Sequence, residues 1–252
     1  MKGVALLAVA ALWLAPGAAA QRGDVAKGKT LYAGACASCH GGNAEGNVSP
    51  GPPSAGARGI PGAGPPLRGV GAQAADFYLR TGYMPLSNPD NQPRRGKPGF
   101  PPDELRAIVA YIASFGGPAV PVPHPERGNL SQGLHLFTDH CAGCHQVAAE
   151  GGVVTDSLAP SLNRATPTQI AEAVRIGPYV MPAFPKSQIS DAALDSIIRY
   201  VQYAKNPDDR GGWALGHIGP IPEGVVAWLI AGAALIAVAL VIGRRAKTRP
   251  DE

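Results

Sequence analysis

Apolar residues recur at helical spacing in two stretches of the chain, Leu105, Ile108, Val109 and Ile112 in the first and Leu194, Ile197, Ile198 and Val201 in the second. Both follow the i, i+3, i+4, i+7 rule that turns one helix face toward a core. Ser190 precedes the second stretch as a predicted N-cap, and Tyr111 and Tyr200 occupy the same place in the two. A third pattern is apolar all round. Residues 225–242 carry no charge and are followed by Arg244, Arg245, Lys247 and Arg249. At 1.5 Å per residue such a run spans about 27 Å, near the thickness of a bilayer's hydrocarbon core. It predicts a transmembrane helix over 225–243 with the basic tail 244–252 on the cytoplasmic side. Trp213 and Trp228 suit interfacial positions, and Gly224, Ala227, Ala231, Gly232 and Ala234 permit close approach of another helix. A fourth apolar run, residues 4–14, follows Lys2 and leads through Pro16 to Ala18, Ala19 and Ala20. It is short for a span, which favours a secretory leader over residues 1–20 rather than an uncleaved anchor.

Composition changes this picture in one respect. The chain has 252 residues, of which 33 are Gly and 26 Pro, so two small modules with long irregular loops fit better than one large core. Small modules of this kind need a staple: disulfides, a metal or a large cofactor. The net charge of +4 is slight and scattered except at the C-terminus, which gives nucleic-acid binding no support.

The four cysteines supply the candidate staple. Export makes two disulfides one reading of them. Their arrangement favours another: Cys36-Ala37-Ser38-Cys39-His40 and Cys141-Ala142-Gly143-Cys144-His145 are two copies of C-x-x-C-H, the attachment signature of c-type haem. Two thiols on one tight turn can form thioethers to the two vinyl groups, and the adjoining histidine reaches the iron. The copies extend beyond the motif, as an internal duplication should. Gly28 and Gly133 each stand eight residues before the first cysteine. Pro65-Pro66-Leu67 and Pro160-Ser161-Leu162 follow the two motifs, then Arg80-Thr81-Gly82-Tyr83-Met84-Pro85 and Arg175-Ile176-Gly177-Pro178-Tyr179-Val180-Met181-Pro182, and each copy closes with one of the amphipathic helices.

These residues resemble the class I cytochrome c family. The resemblance implies a mainly α protein with two tandem class I cytochrome c domains, at 21–117 and 128–207, and two covalently bound haem c groups. It makes His40 and His145 the proximal iron ligands, Met84 and Met181 the distal ones, and Pro65 and Pro160 the prolines whose carbonyls hold the proximal imidazoles. The competing reading is that Met84 and Met181 merely fill core gaps, as most methionines do. Against that, they are the only methionines besides Met1 and share a Met-Pro context, 44 residues past His40 and 36 past His145. His135 and His140 are the competing ligands, while His124 and His217 lack ligand spacing. Arg68, Arg80, Tyr83, Arg175 and Tyr179 stand open between haem propionate contacts and plain solvated residues.

Residues 43–64 read as an exposed Gly/Pro insertion in the first copy, and residues 118–127, with Pro118, Pro121, Pro123 and Pro125, as a Pro-rich linker. A juxtamembrane segment, 208–224, follows the second domain. Its run from Gly211-Gly212-Trp213 to Pro222-Glu223-Gly224, after tandem haem domains and before an anchor, resembles the dihaem cytochrome c subunits of actinobacterial-type cytochrome bc complexes. That likeness implies the electron-transfer subunit of a quinol:cytochrome c reductase, with no substrate-converting site of its own. Its partners are then cytochrome b, the Rieske iron-sulfur protein as donor and an aa3-type terminal oxidase as acceptor, with the haem domains outside the plasma membrane. Two alternatives carry tandem C-x-x-C-H modules as well: the cytochrome subunit of an extracytoplasmic dehydrogenase, and a dihaem peroxidase, which two Met-Pro segments argue against.

Overall fold

The computed structural model describes residues 16–47, 64–86, 92–155, 157–208 and 220–247. It is mainly helical, and the sequence repeat becomes a structural one. The first module comprises α1 (Pro16–Ala35), the short α2 (Ala37–His40), α3 (Gly71–Arg80) and α4 (Pro102–Ala113). The second comprises α5 (Leu130–His140), the short α6 (Ala142–His145), an antiparallel hairpin of β1 (Gly152–Val154) and β2 (Ser157–Ala159), α7 (Pro167–Ile176) and α8 (Asp191–Lys205). Of the leader expected over residues 1–20, only residues 16–20 are described, as the start of α1.

Local chemistry explains where these helices begin. Pro102 stands in the first turn of α4, where its missing N–H costs nothing, with Asp103 and Glu104 beside the positive end of the helix dipole. Asn129 caps α5 by accepting the Gln132 N–H at 2.9 Å, and Ser190 caps α8 through the Ala193 N–H at 3.2 Å, as the sequence predicts. Thr166 and Gln169 form a reciprocal capping box on α7.

In each module the first and last helices cross backbone to backbone at a glycine. A Cβ on Gly28 would overlap the Ala107 carbonyl and press on Tyr111, and one on Gly133 would overlap the Ser196 carbonyl and press on Tyr200. The crossing sets paired rings together, Tyr32 on Tyr111 at 5.2 Å and Phe137 on Tyr200 at 5.3 Å, both tilted. Around each pair lies a separate core: Leu79, Leu105, Ile108 and Ile112 in the first module, and Ile170, Val174, Leu194, Ile197, Ile198 and Val201 in the second. The predicted apolar faces of α4 and α8 contribute to both, with Val109 only half-buried.

The two modules nevertheless belong to one compact unit, which ends at Asn206. Helix α3 packs on α7, and the Pro-rich segment between the modules is held at both ends. The Gln73 N–H donates to the Pro118 carbonyl at 3.1 Å, and the His124 N–H to Asp195 Oδ1 at 2.7 Å. A short 3-10 turn, Pro125–Arg127, then lies against α8. The second unit, from Pro207 onward, is dominated by α9 (Pro220–Lys247). Its portion Gly224–Arg245 includes 18 residues with a mean hydropathy of 2.8 and is long and apolar enough to cross a membrane. Trp213, His217 and the rest of 209–219 lie outside the described residues.

Gly133→Ala should destabilise the second module by about 1–3 kcal/mol, the usual range for overpacking a close contact, despite alanine's higher helix propensity. Chemical denaturation of the full-length protein in detergent checks this, and an unchanged midpoint would mean that the crossing is looser than it is drawn here.

Candidate functional site

Both C-x-x-C-H motifs form a single helical turn at the end of the module's first helix. The His40 N–H donates to the Cys36 carbonyl at 2.9 Å and the His145 N–H to the Cys141 carbonyl at 2.9 Å, so two thiols and an imidazole project from one turn. No disulfide joins the four cysteines; Cys36 and Cys141 are half-buried and Cys39 and Cys144 exposed. Burial first, and the neighbouring cysteine second, push the Cys36 and Cys141 thiols up to about 11.

The imidazoles are buried and oriented in the same way. His40 Nδ1 lies 2.8 Å from the Pro65 carbonyl, and His145 Nδ1 lies 3.1 Å from the Pro160 carbonyl. A carbonyl can only accept, so Nδ1 carries the hydrogen and Nε2 keeps a free lone pair. Burial holds the His145 pKa below its ordinary value, against the opposing pull of the Pro160 carbonyl, and keeps the ring neutral as a metal ligand must be. The turn that brings each proline into place is copied residue for residue. Ala44 and Ala149 adopt left-handed φ angles of 60° and 59°, and their carbonyls accept from the Leu67 and Leu162 N–H groups, each at 2.9 Å.

The insertion does not disturb this arrangement. Asn47 pairs with Gly64 as an isolated antiparallel bridge, in the place where Gly152 pairs with Ala159 in the second module. Residues 48–63 lie outside the described residues, and Pro65 follows this pair as Pro160 follows the Gly152–Ala159 pair.

Met84 and Met181 are half-buried and pack against the cores of their own modules. The Met84 N–H donates to the Tyr78 carbonyl and the Met181 N–H to the Pro178 carbonyl, both at 3.1 Å. His135 and His140 are exposed on α5, the latter edge-on to Phe184 at 6.1 Å. Three of the arginines left open by the sequence have protein partners: Arg68 lies 4.9 Å over the Phe115 ring, Arg80 pairs with Asp76, and Arg175 donates to the Phe184 and Ile189 carbonyls and to Asp191. The residues present fit a c-type haem. Paired thiols, an imidazole tied through Nδ1 and a thioether on a later loop form the donor set that such a group takes.

Helical modules organised around these turns define the protein as a cytochrome c, a haem c protein of electron transfer. Residues 25–116 match the model of the family described as cytochrome c, and residues 128–201 match that of cytochrome c oxidase, cbb3-type, subunit III. Curated relatives are more specific. The chain is 38% identical over 228 residues to the cytochrome bc1 complex cytochrome c subunit of Mycobacterium tuberculosis (strain ATCC 25618 / H37Rv), covering 86% of this chain and 77% of that protein. It is 37% identical to its counterpart from Mycobacterium leprae (strain TN), over 87% of this chain and 75% of that protein. With the Corynebacterium efficiens subunit it shares 33% identity, over 97% of this chain and 86% of the relative. The chain belongs to the family of cytochrome bc1 complex cytochrome c subunits, and it is a respiratory electron-transfer cytochrome c.

Between the modules lie residues that no motif flags. Glu172 on α7 is fully buried, and neither of its carboxyl oxygens has a hydrogen-bond partner. Burial raises its pKa to about 8. The charge of Asp76, buried on the facing α3, is the second cause of that rise, and Arg80 opposes it. Gln73 and Gln169 stand three residues before these acids on the two helices. The sequence signal was this matched spacing, Gln-x-x-Asp and Gln-x-x-Glu, within the repeat. A carboxyl whose folded pKa is raised favours the folded state most below its unfolded value of 4.5, and that advantage is lost as pH rises through about 8. Glu172→Gln should flatten the fall of the denaturation midpoint across this window relative to the parent protein; parallel pH profiles for the two would show that Glu172 is solvated.

Proposed function

We propose that this chain is a membrane-anchored relay with two covalently bound haem c groups. It takes electrons from the Rieske protein of a quinol-oxidising cytochrome bc complex, built with cytochrome b, and passes them to an aa3-type terminal oxidase. The observation that carries this reading is the repeated Nδ1 contact, His40 to Pro65 and His145 to Pro160, which prepares both imidazoles in the same way.

In this reading Cys36 and Cys39 fix one haem to α2, and Cys141 and Cys144 fix the other to α6. His40 and His145 are the proximal ligands, oriented by the proline carbonyls, and Met84 and Met181 are the distal ones. Bound haem supplies a one-electron couple whose potential is raised by thioether ligation. With His40 and Met84 holding one haem and His145 and Met181 the other, the chain would be the electron-transfer subunit of a quinol:cytochrome c reductase rather than a catalyst in itself. The names of the relatives support a bc1-type complex as its setting. The apolar α9 and the Arg244 and Arg245 that follow its core support a single anchor, with the cytochrome modules on the extracytoplasmic face and the C-terminus in the cytoplasm.

A pyridine haemochrome assay on the purified protein should give two covalent haems per chain. Met84→Ala and Met181→Ala should each remove one sulfur-to-iron charge-transfer band and lower one of two potentials in a redox titration. Wild-type spectra in both variants would refute the axial assignments. Co-purification with cytochrome b and a Rieske protein is expected, whereas a flavin or quinone dehydrogenase subunit in their place would make the chain a dehydrogenase cytochrome.

A further inference from the structure

The loop that carries Met84 is closed at its base on its own module. The Gly96 N–H donates to the Thr81 carbonyl at 2.9 Å, and a Cβ on Gly82 would crowd the backbone of Gly96 and Lys97. The strand leaving α3 and the strand returning toward α4 therefore run side by side. Thr81 is buried there and bonds back to the Phe77 carbonyl at 2.6 Å.

Beyond this base, two side chains of the loop cross to the second module. The Gln92 amide pairs with both backbone groups of Leu158: Nε2 donates to the carbonyl at 2.8 Å, and Oε1 accepts the N–H at 3.0 Å. One side chain thus does for β2 what an added strand would do. Arg95 Nη2 donates to the Arg164 carbonyl at 3.1 Å and to Gln169 Oε1 at 2.6 Å. That same oxygen accepts the Thr166 N–H in the capping box of α7, so the guanidinium is tied to the start of a helix with a fixed position. Tyr83, next to Met84, is close enough to Arg95 for each to affect the other's ionisation, and its ring stands edge-on to Phe77 at 5.6 Å.

Among the described residues, no hydrogen bond crosses from the Met181 loop to the first module. That loop is held from within by the Phe184 N–H on the Val174 carbonyl at 2.8 Å and by Arg175 on the Phe184 and Ile189 carbonyls. The repeat is therefore broken at the distal loops: one is self-supported, and the other leans on its neighbour.

We propose that Gln92 and Arg95 are positioning residues through which the second module holds the Met84 loop closed, so that sulfur ligation in the first module depends on its docking to the second. The proposal rests on the reading of Met84 as an axial ligand. Its test uses full-length holoprotein in a Met181→Ala background, where the remaining charge-transfer band reports Met84 alone. Imidazole is the probe, because it displaces a weakly held thioether. Gln92→Ala combined with Arg95→Ala should lower the imidazole concentration that bleaches the band by about tenfold, equivalent to about 1.4 kcal/mol. Gln92→Glu, which sets a carboxylate against the Leu158 carbonyl, should act in the same direction, and Arg95→Lys should recover part of the resistance. In a Met84→Ala background the same changes should leave the Met181 band unmoved, a distinction that general destabilisation would not produce. If the Met181→Ala protein shows no sulfur band, the ligand reading fails and the proposal falls with it. If the band is present and its imidazole titration ignores Gln92 and Arg95, ligation stands and the proposal alone is overturned.

Discussion

The contact on which each module depends is the crossing of its first and last helices at a glycine. With hydrogen in place of a side chain at Gly28 and Gly133, the partner backbones at Ala107 and Ser196 come close enough to bring an aromatic pair together beneath the crossing. The attachment turn leaves the far end of the same first helix, so its place follows from that of the crossing. A hydroxyl from the aromatic pair then pins the turn: Tyr32 donates to the Gly41 carbonyl at 2.8 Å, and Tyr200 to the Val147 carbonyl at 2.7 Å. Residues from the crossing to the imidazole thus form one rigid chain of contacts, which suits a site where ligand geometry sets the redox behaviour.

Those two hydroxyls come from different helices. The first module takes its donor from α1, where the second has Phe137, and the second takes its donor from α8. What the duplication preserved is a pinned turn, not a particular tyrosine. The hairpins behave similarly. The sequence between the paired positions is short in one module and long and Gly/Pro-rich in the other, yet both pairs are followed by a proline carbonyl against an imidazole, because the antiparallel pairing fixes the exit. Loop length beyond such a base costs little.

The joint between the modules is polar where their cores are apolar. Gln73, Asp76 and Arg80 face Glu172 across α3 and α7, and the Gln92 and Arg95 side chains add hydrogen bonds to backbone. Buried polar contacts of this kind fix an orientation more than they add stability, since an imperfect fit leaves a charge without solvent or partner. In the proposed two-haem relay, a fixed orientation means a fixed spacing.

The sequence by itself determined the parts that depend on local spacing: two C-x-x-C-H turns, the apolar faces of α4 and α8, the Ser190 cap and an anchor-length apolar helix. Thiols and imidazole must share a turn, and a helix face must repeat every three to four residues, so each leaves a pattern that can be read directly. The Pro65 and Pro160 contacts were legible only through family resemblance, because the carbonyl comes from a distant backbone segment. The clamping of the Pro-rich segment, the burial of Glu172 and the reach of Gln92 and Arg95 to the second module were decided by tertiary structure alone. Each arises where two surfaces meet, and a polar residue at such a meeting has the same one-dimensional signature as one facing water.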